Sequence, residues 1–196
     1  MYKNILNKIL LSEKPSIGIY KLIETGEISE IIPEFIKLKG FEQQTPYHDK
    51  DVLDHTMAVV DFIKPELHLR MAALLHDISK PSCFTVDEKG RGHFYGHHIK
   101  SAEESVRILK RLGYDEDFIH KVKILIQYHY IKEIVSNVKE KGIKKFIDSI
   151  GEERLDDMLE LISADMAGKP DTGNLEVVQR LRDLSNEYLN NKDQDL

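Results

Sequence analysis

Ionisable side chains occupy positions in this chain where helical periodicity requires apolar core residues. They are His55, the adjacent pair His76 and Asp77, one of His97 and His98, His129 and Asp165. An isolated buried charge costs far more than a buried methylene, so imidazoles and carboxylates converging on one interior need a partner that takes several at once. A divalent metal ion is that partner. Imidazole nitrogen with carboxylate oxygen suits Mn, Fe, Co, Ni or Zn, and the lack of thiolate ligands argues against a closed structural zinc site. His55, His76, Asp77 and Asp165 can complete one site with positions left for water. One of the His97–His98 pair together with His129 supplies a second, with Asp77 placed to bridge. Taken singly, each residue has a plainer explanation. A lone His on an apolar face is usually a hydrogen-bonded core residue, Asp77 could cap a turn, and Asp165 could pair with an arginine. The coincidence on five helices favours metal. His48, His68, His93 and His120 read as loop or solvent-facing residues, and Cys83 as a small apolar filler.

Five helices must position these groups. In Asp51–Ile63 the apolar stripe is Val52, Val59 and Phe62, and His55 joins it three residues after Val52. Pro65–Ile78 is apolar nearly all round, through Leu67, Leu69, Ala72, Ala73, Leu74 and Leu75. That is the pattern of a central buried helix, and it ends in His76-Asp77. In Asp115–Ile131 the row Phe118, Val122, Leu125 steps on to His129, and in Glu152–Ala167 the row Leu155, Met158, Ile162 steps on to Asp165. Gly96–Leu112 has Ala102, Ser105, Leu109 and Leu112 as its inner row. Counting back favours His98 slightly over His97, but a first turn is poorly placed by such counting, and the choice stays open. Further helices are expected over Tyr2–Leu11, Lys14–Thr25, Ile28–Ile32, Ile143–Ile150 and Asn174–Leu189, with a turn over Glu34–Lys39. Phe41–Asp49, Pro81–Tyr95 and Gly168–Gly173 read as loops. A small hairpin around Phe84–Gly90 is conceivable but is not assigned. The class is all-α, with residues 1–46 a helical extension packed on a main domain of 47–190, and 191–196 a polar tail.

The bulk numbers bound the function. The 196 residues suffice for one well-cored domain. A net charge of −6, from 34 acidic against 28 basic residues, is not that of a nucleic-acid polycation. The single Cys83 fits a reducing compartment, and no apolar run approaches the roughly 20 residues that span a bilayer, so a cytoplasmic protein with no membrane partner is expected.

His76-Asp77-Ile78-Ser79-Lys80, preceded by His55 and followed by Asp165, resembles the HD-domain metal-dependent phosphohydrolases. The likeness is more specific still to one branch. Lys14-Pro15-Ser16 through Glu24-Thr25-Gly26, Ile32-Pro33-Glu34, Gln43, Tyr47-His48 through Asp51-Val52 to His55-Thr56, Ala72 through Asp77, Gly96-His97 and Ala164-Asp165 are similar to the C-terminal half of bacterial CCA-adding tRNA nucleotidyltransferases. The resemblance covers roughly residues 12–170. It implies an HD-domain helical bundle with a small N-terminal helical extension, and metal ligation by His55, His76, Asp77 and Asp165. By the Gly96-His97 match it implies His97 as a further ligand, and His129 corresponds to the late histidine of two-metal members. Ser79 stands where many relatives have Gly, and His98 replaces the Glu that usually follows His97. A nucleotidyltransferase needs a Gly-rich turn and a strand presenting Asp-x-Asp. Asp49-x-Asp51, Asp115-x-Asp117 and Asp193-x-Asp195 match only the tripeptide, and carboxylates at helix starts are favoured there anyway. Nucleotide addition is not expected.

The expected chemistry is hydrolysis of a nucleotide-like phosphoester, a 2′,3′-cyclic phosphodiester or a phosphomonoester, by metal-activated water at one or two ions per chain. Asp77 would orient the water or take its proton, and Lys80 would offset charge developing on phosphate. Lys100 and Lys169 are further candidates to bind substrate. The alternatives are a dinucleoside-polyphosphate hydrolase, or a non-catalytic module that binds tRNA or a protein partner around a structural metal. The densest basic stretches, Lys37-Leu38-Lys39 and Lys139–Lys145, give RNA only weak support.

Overall fold

The computed structural model describes residues 1–43, 51–130, 140–169 and 174–194. Its centre is helix α5, Leu67–Leu75, and residues 69–80 are buried without a break. A helix apolar on every side must be covered on every side. Here α1 (Tyr2–Leu10), α4 (Val52–Phe62), α7 (His97–Leu112), α8 (Glu116–Tyr128) and α10 (Leu155–Ala167) all pack on it. The outer elements are α2 (Pro15–Glu24), α3 (Ile28–Ile31), the 3-10 turn Pro33–Leu38, the short α6 (Lys80–Cys83), α9 (Glu140–Ile150) and α11 (Asn174–Gln194). The fold is the all-α bundle expected.

Local chemistry sets the helix ends that matter for the centre. Asp51 caps α4 by accepting from Asp54 N–H at 2.7 Å, and its second oxygen accepts from Gly40 N–H at 2.7 Å. Asp115 caps α8 through Phe118 N–H at 2.9 Å. Gly96, at φ 73°, lets the chain turn sharply into α7 so that His97 is its first residue. The N-terminal helices are tied to this frame by polar links. Arg70 donates to the carbonyls of Leu10 and Ser12, Ser16 binds Asp61, and Arg111 grips Glu34 with two bonds of 2.9 and 2.8 Å.

Several expectations need correcting. Helix α5 stops at Leu75, and His76 to Ser79 form a turn before α6 begins. The loop over Pro81–Tyr95 contains a two-stranded antiparallel hairpin, β1 (Thr85–Val86) with β2 (Gly92–His93). Asp87 closes it by accepting from the N–H groups of Lys89 and Arg91 at 2.9 Å, an Asx-type turn in a segment too short for alternation to register. Phe62, expected on the α4 stripe, is 60% exposed, and Ile63 takes its place in the core. Helix α11 continues to Gln194 through the segment expected to fray, with Lys192 paired to Glu152. Residues 44–50, with His48, and 131–139 lie outside the described residues.

Candidate metal centre

His55, His76, Asp77, His97, His129 and Asp165 come together between α4, the α5–α6 turn, α7, the end of α8 and the end of α10, and all are buried. The rings form a chain: His55 to His76 at 5.5 Å between centroids, His76 to His129 at 5.1 Å, and His129 to His97 at 5.6 Å. Asp165 Oδ1 lies 2.9 Å from His55 Nε2 and 3.7 Å from His76 Nε2. Asp77 sits between two halves. Its Oδ2 is 3.1 Å from His76 Nε2 and 3.7 Å from His55 Nε2, while its Oδ1 is 3.4 Å from His97 Nε2.

The backbone orients three of these rings. His76 Nδ1–H donates to Ala73 O at 2.8 Å, His97 Nδ1–H to Phe94 O at 2.8 Å, and His129 Nδ1–H to Ile126 O at 2.7 Å. His76 and His129 directly follow α5 and α8, where the last helical carbonyls lack intrahelical partners and are available as acceptors. With Nδ1 committed, Nε2 is the atom each ring turns to the interior, the arrangement that prepares imidazole for a metal. His76 Nε2 and both Asp77 oxygens are buried without a hydrogen bond. Two sets of ligand atoms each lie within 4.8 Å of one another: His55, His76 and Asp165, and His76, Asp77 and His129. Buried nitrogen and carboxylate donors lacking hydrogen bonds and this close together fit a divalent ion.

The charges are balanced by two lysines. Lys80 Nζ lies 2.7 Å from Asp77 Oδ2 and donates to Gln43 Oε1 at 2.8 Å, with the Phe94 ring 5.3 Å away. Lys169 Nζ lies 2.7 Å from Asp165 Oδ2. Burial alone would raise the Asp77 and Asp165 carboxyls, but His76 and Lys80 hold the first well below the usual range and Lys169 and His55 the second. Burial also lowers the His76 imidazolium, yet Asp77 and Asp165 overcome it and carry its pKa to about 9. His97 and His129 are pulled down to about 4 and about 3, chiefly by burial.

The structure brings Lys80 and Lys169 to the cluster but not Lys100, which is exposed and reaches the Ser82 carbonyl at 3.4 Å. Of the open pair, His97 faces Asp77, and His98 lies against Tyr130 instead. Sequence reasoning gave Gln43 no role at the site. It lies in a non-periodic segment and enters only as one residue of the resemblance, with its burial hidden from the sequence. Of the histidines read as unremarkable, His120 is exposed, and His93 pairs with Asp87 at 2.8 Å. His68 is half-buried and meets Asp157 at 2.9 Å, with Glu66 nearby. Lys121 already occupies that Asp157 oxygen at 2.8 Å, so this second grouping is an ion network joining α5, α8 and α10.

The sequence pattern of the HD domain family matches residues 48–171, and the chain belongs to that family, a superfamily of metal-dependent phosphohydrolases. Among curated proteins it is similar to the A-adding tRNA nucleotidyltransferase of Deinococcus radiodurans, 30% identical over 82% of this chain and 37% of the relative. It is also similar to the CC-adding tRNA nucleotidyltransferase of Thermus thermophilus, 32% identical over 65% of this chain and 30% of that protein. The Multifunctional CCA protein of Nitrosospira multiformis is 25% identical over 82% and 40%. The chain thus spans less than half the length of these relatives, and the likeness is to their HD-containing region. Among the described residues no helix is long and apolar enough to cross a membrane.

Proposed function

We propose that this chain hydrolyses a nucleotide-like phosphoester, a 2′,3′-cyclic phosphodiester or a phosphomonoester, at a centre held by His55, His76, Asp77, His97, His129 and Asp165. The observation that carries the reading is a buried cluster of imidazoles and carboxylates in which His76 Nε2 and both Asp77 oxygens have no hydrogen bond, with Lys80 Nζ 2.7 Å from Asp77 Oδ2. Asp77 has one oxygen toward each half of the cluster, and with the histidines and Asp165 it would help hold one or two ions of Mn, Fe, Co, Ni or Zn. A divalent ion held there would supply Lewis acidity, lowering the pKa of water toward neutrality and withdrawing charge from phosphoryl oxygens.

The chain's own residues supply the rest. A carboxylate as acidic as Asp77 is a weak proton acceptor, so its part is to orient water by accepting its hydrogen bond. Lys80, fixed by Gln43 and Asp77, places its Nζ where it can donate to a phosphoryl oxygen gaining negative charge. Lys169 offers a second cation at the half-buried edge. Burial of His76 and Asp77 lowers the local dielectric, which strengthens each of these interactions.

The test is to quantify bound metal in the purified chain and assay phosphoesters with and without chelator, comparing wild type with Asp77→Ala. Chelator-sensitive turnover lost in the variant is expected. Metal-loaded wild type that hydrolyses nothing, while chelation unfolds it, would instead establish a structural metal. A dinucleoside polyphosphate as the preferred substrate would move the assignment within the same chemistry.

A further inference from the structure

Tyr130 follows His129 directly, yet it is 41% exposed where His129 is 2% exposed. Its ring stands edge-on to His97 at 5.2 Å between centroids, and lies nearly parallel to His98 at 5.5 Å with 20° between the planes. His97 in turn directs Nε2 at Asp77 Oδ1, so the tyrosine stands one imidazole away from the central carboxylate. Tyr95 and Ile99, 76% and 50% exposed, flank the same two histidines in sequence.

We propose that the Tyr130–His98 stack is a platform for the base of a nucleoside phosphate whose phosphoryl group lies at the Asp77–Lys80 centre. This rests on the phosphohydrolase reading above and narrows its substrate to esters that carry a nucleobase. Aromatic side chains stack on any base through its π-face, giving affinity without demanding one sequence. His97 alone separates the Asp77 carboxylate from the tyrosine ring, so a base stacked there and a phosphoryl group at the centre belong to one small ligand. Tyr130 is thereby a specificity residue and takes no part in bond cleavage.

The experiment pairs adenosine 5′-monophosphate with ribose 5-phosphate, in which a hydroxyl replaces the base at C1. Binding is measured calorimetrically in chelator, and KM and kcat with the metal-replete chain, for wild type, Tyr130→Phe and Tyr130→Ala. Wild type is expected to bind the nucleotide about tenfold more tightly than the sugar phosphate. Tyr130→Ala should erase that preference through KM with kcat unchanged, and Tyr130→Phe should keep it. Equal affinity of wild type for both ligands, or an unchanged preference in Tyr130→Ala, overturns the platform even if both esters are hydrolysed. Base-dependent binding lost in Tyr130→Ala, without turnover of either ester, upholds the platform and removes the phosphohydrolase reading. Neither ligand bound nor cleaved overturns both.

Discussion

His76 is under two opposed influences: burial disfavours its imidazolium, and Asp77 and Asp165 favour it more strongly, leaving a pKa of about 9. A metal takes the neutral ring, so in the metal-free chain the proton must leave His76 first. His97 and His129, at about 4 and about 3, are already neutral at pH 7 and release nothing. Metal affinity should therefore rise with pH and level off above about 9. Near neutrality binding should release about one proton at His76, read by calorimetry in buffers of different ionisation heat. A pH-independent affinity would sink this account. Stability of the chelated chain follows the opposite pair. Because the folded pKa values of His97 and His129 lie below the ordinary 6.5, unfolding takes up protons, and the melting temperature should fall as pH drops from 6.5 toward 4. For catalysis, Lys80→Met should cost about 10²–10³ in kcat, as for loss of one preorganised donor, with bound metal retained. Full activity in that variant would leave Lys80 a structural counterion only. His55, His76, His129 and Asp165 were legible because each falls on an apolar row, and Asp77 by adjacency to His76. Counting slightly favours His98, and His97 comes from the resemblance; Tyr130 continues no such row.

The hairpin is the element that sequence periodicity missed, and it bears directly on the centre. A Cβ added at Gly92 in β2 would lie 2.4 Å from the Gln43 carbonyl oxygen and 2.7 Å from the Phe84 ring. Gly92 thus permits the close approach that presses Gln43 inward, where it receives Lys80. Gly92→Ala should displace Gln43, free Lys80 and lower turnover, with metal content unchanged. If it acts by that route, adding Gln43→Leu should cause little further loss, whereas additive losses would show independent effects. Helix starts were easier to read than helix ends. Asp51 and Asp115 announce their caps by residue type, but α5 ends at Leu75 because His76 and Asp77 turn toward ligand positions, a tertiary demand that propensity does not encode.

Across the whole molecule, the all-α class was plain because periodicity near 3.6 runs through almost every segment. How the N-terminal helices attach was not, because the joint is made by a side chain with main-chain partners. Arg70, buried at the middle of α5, spends its guanidinium on the carbonyls of Leu10 and Ser12. Arg70→Met leaves those acceptors with no donor and should cost about 2–3 kcal/mol. The corresponding fall in melting temperature is about 5–10 °C. A fall of under a degree would show that apolar packing alone holds the extension in place.

The acceptors at Ala73, Phe94 and Ile126 are peptide oxygens, and no codon change can delete them. Three imidazoles therefore receive their aim from within three residues of their own position, independent of any distant side chain. A variant library screened for altered metal preference should find few hits among residues flanking these rings. It should find them where a substitution shifts a helix terminus bodily, moving carbonyl and imidazole as one unit.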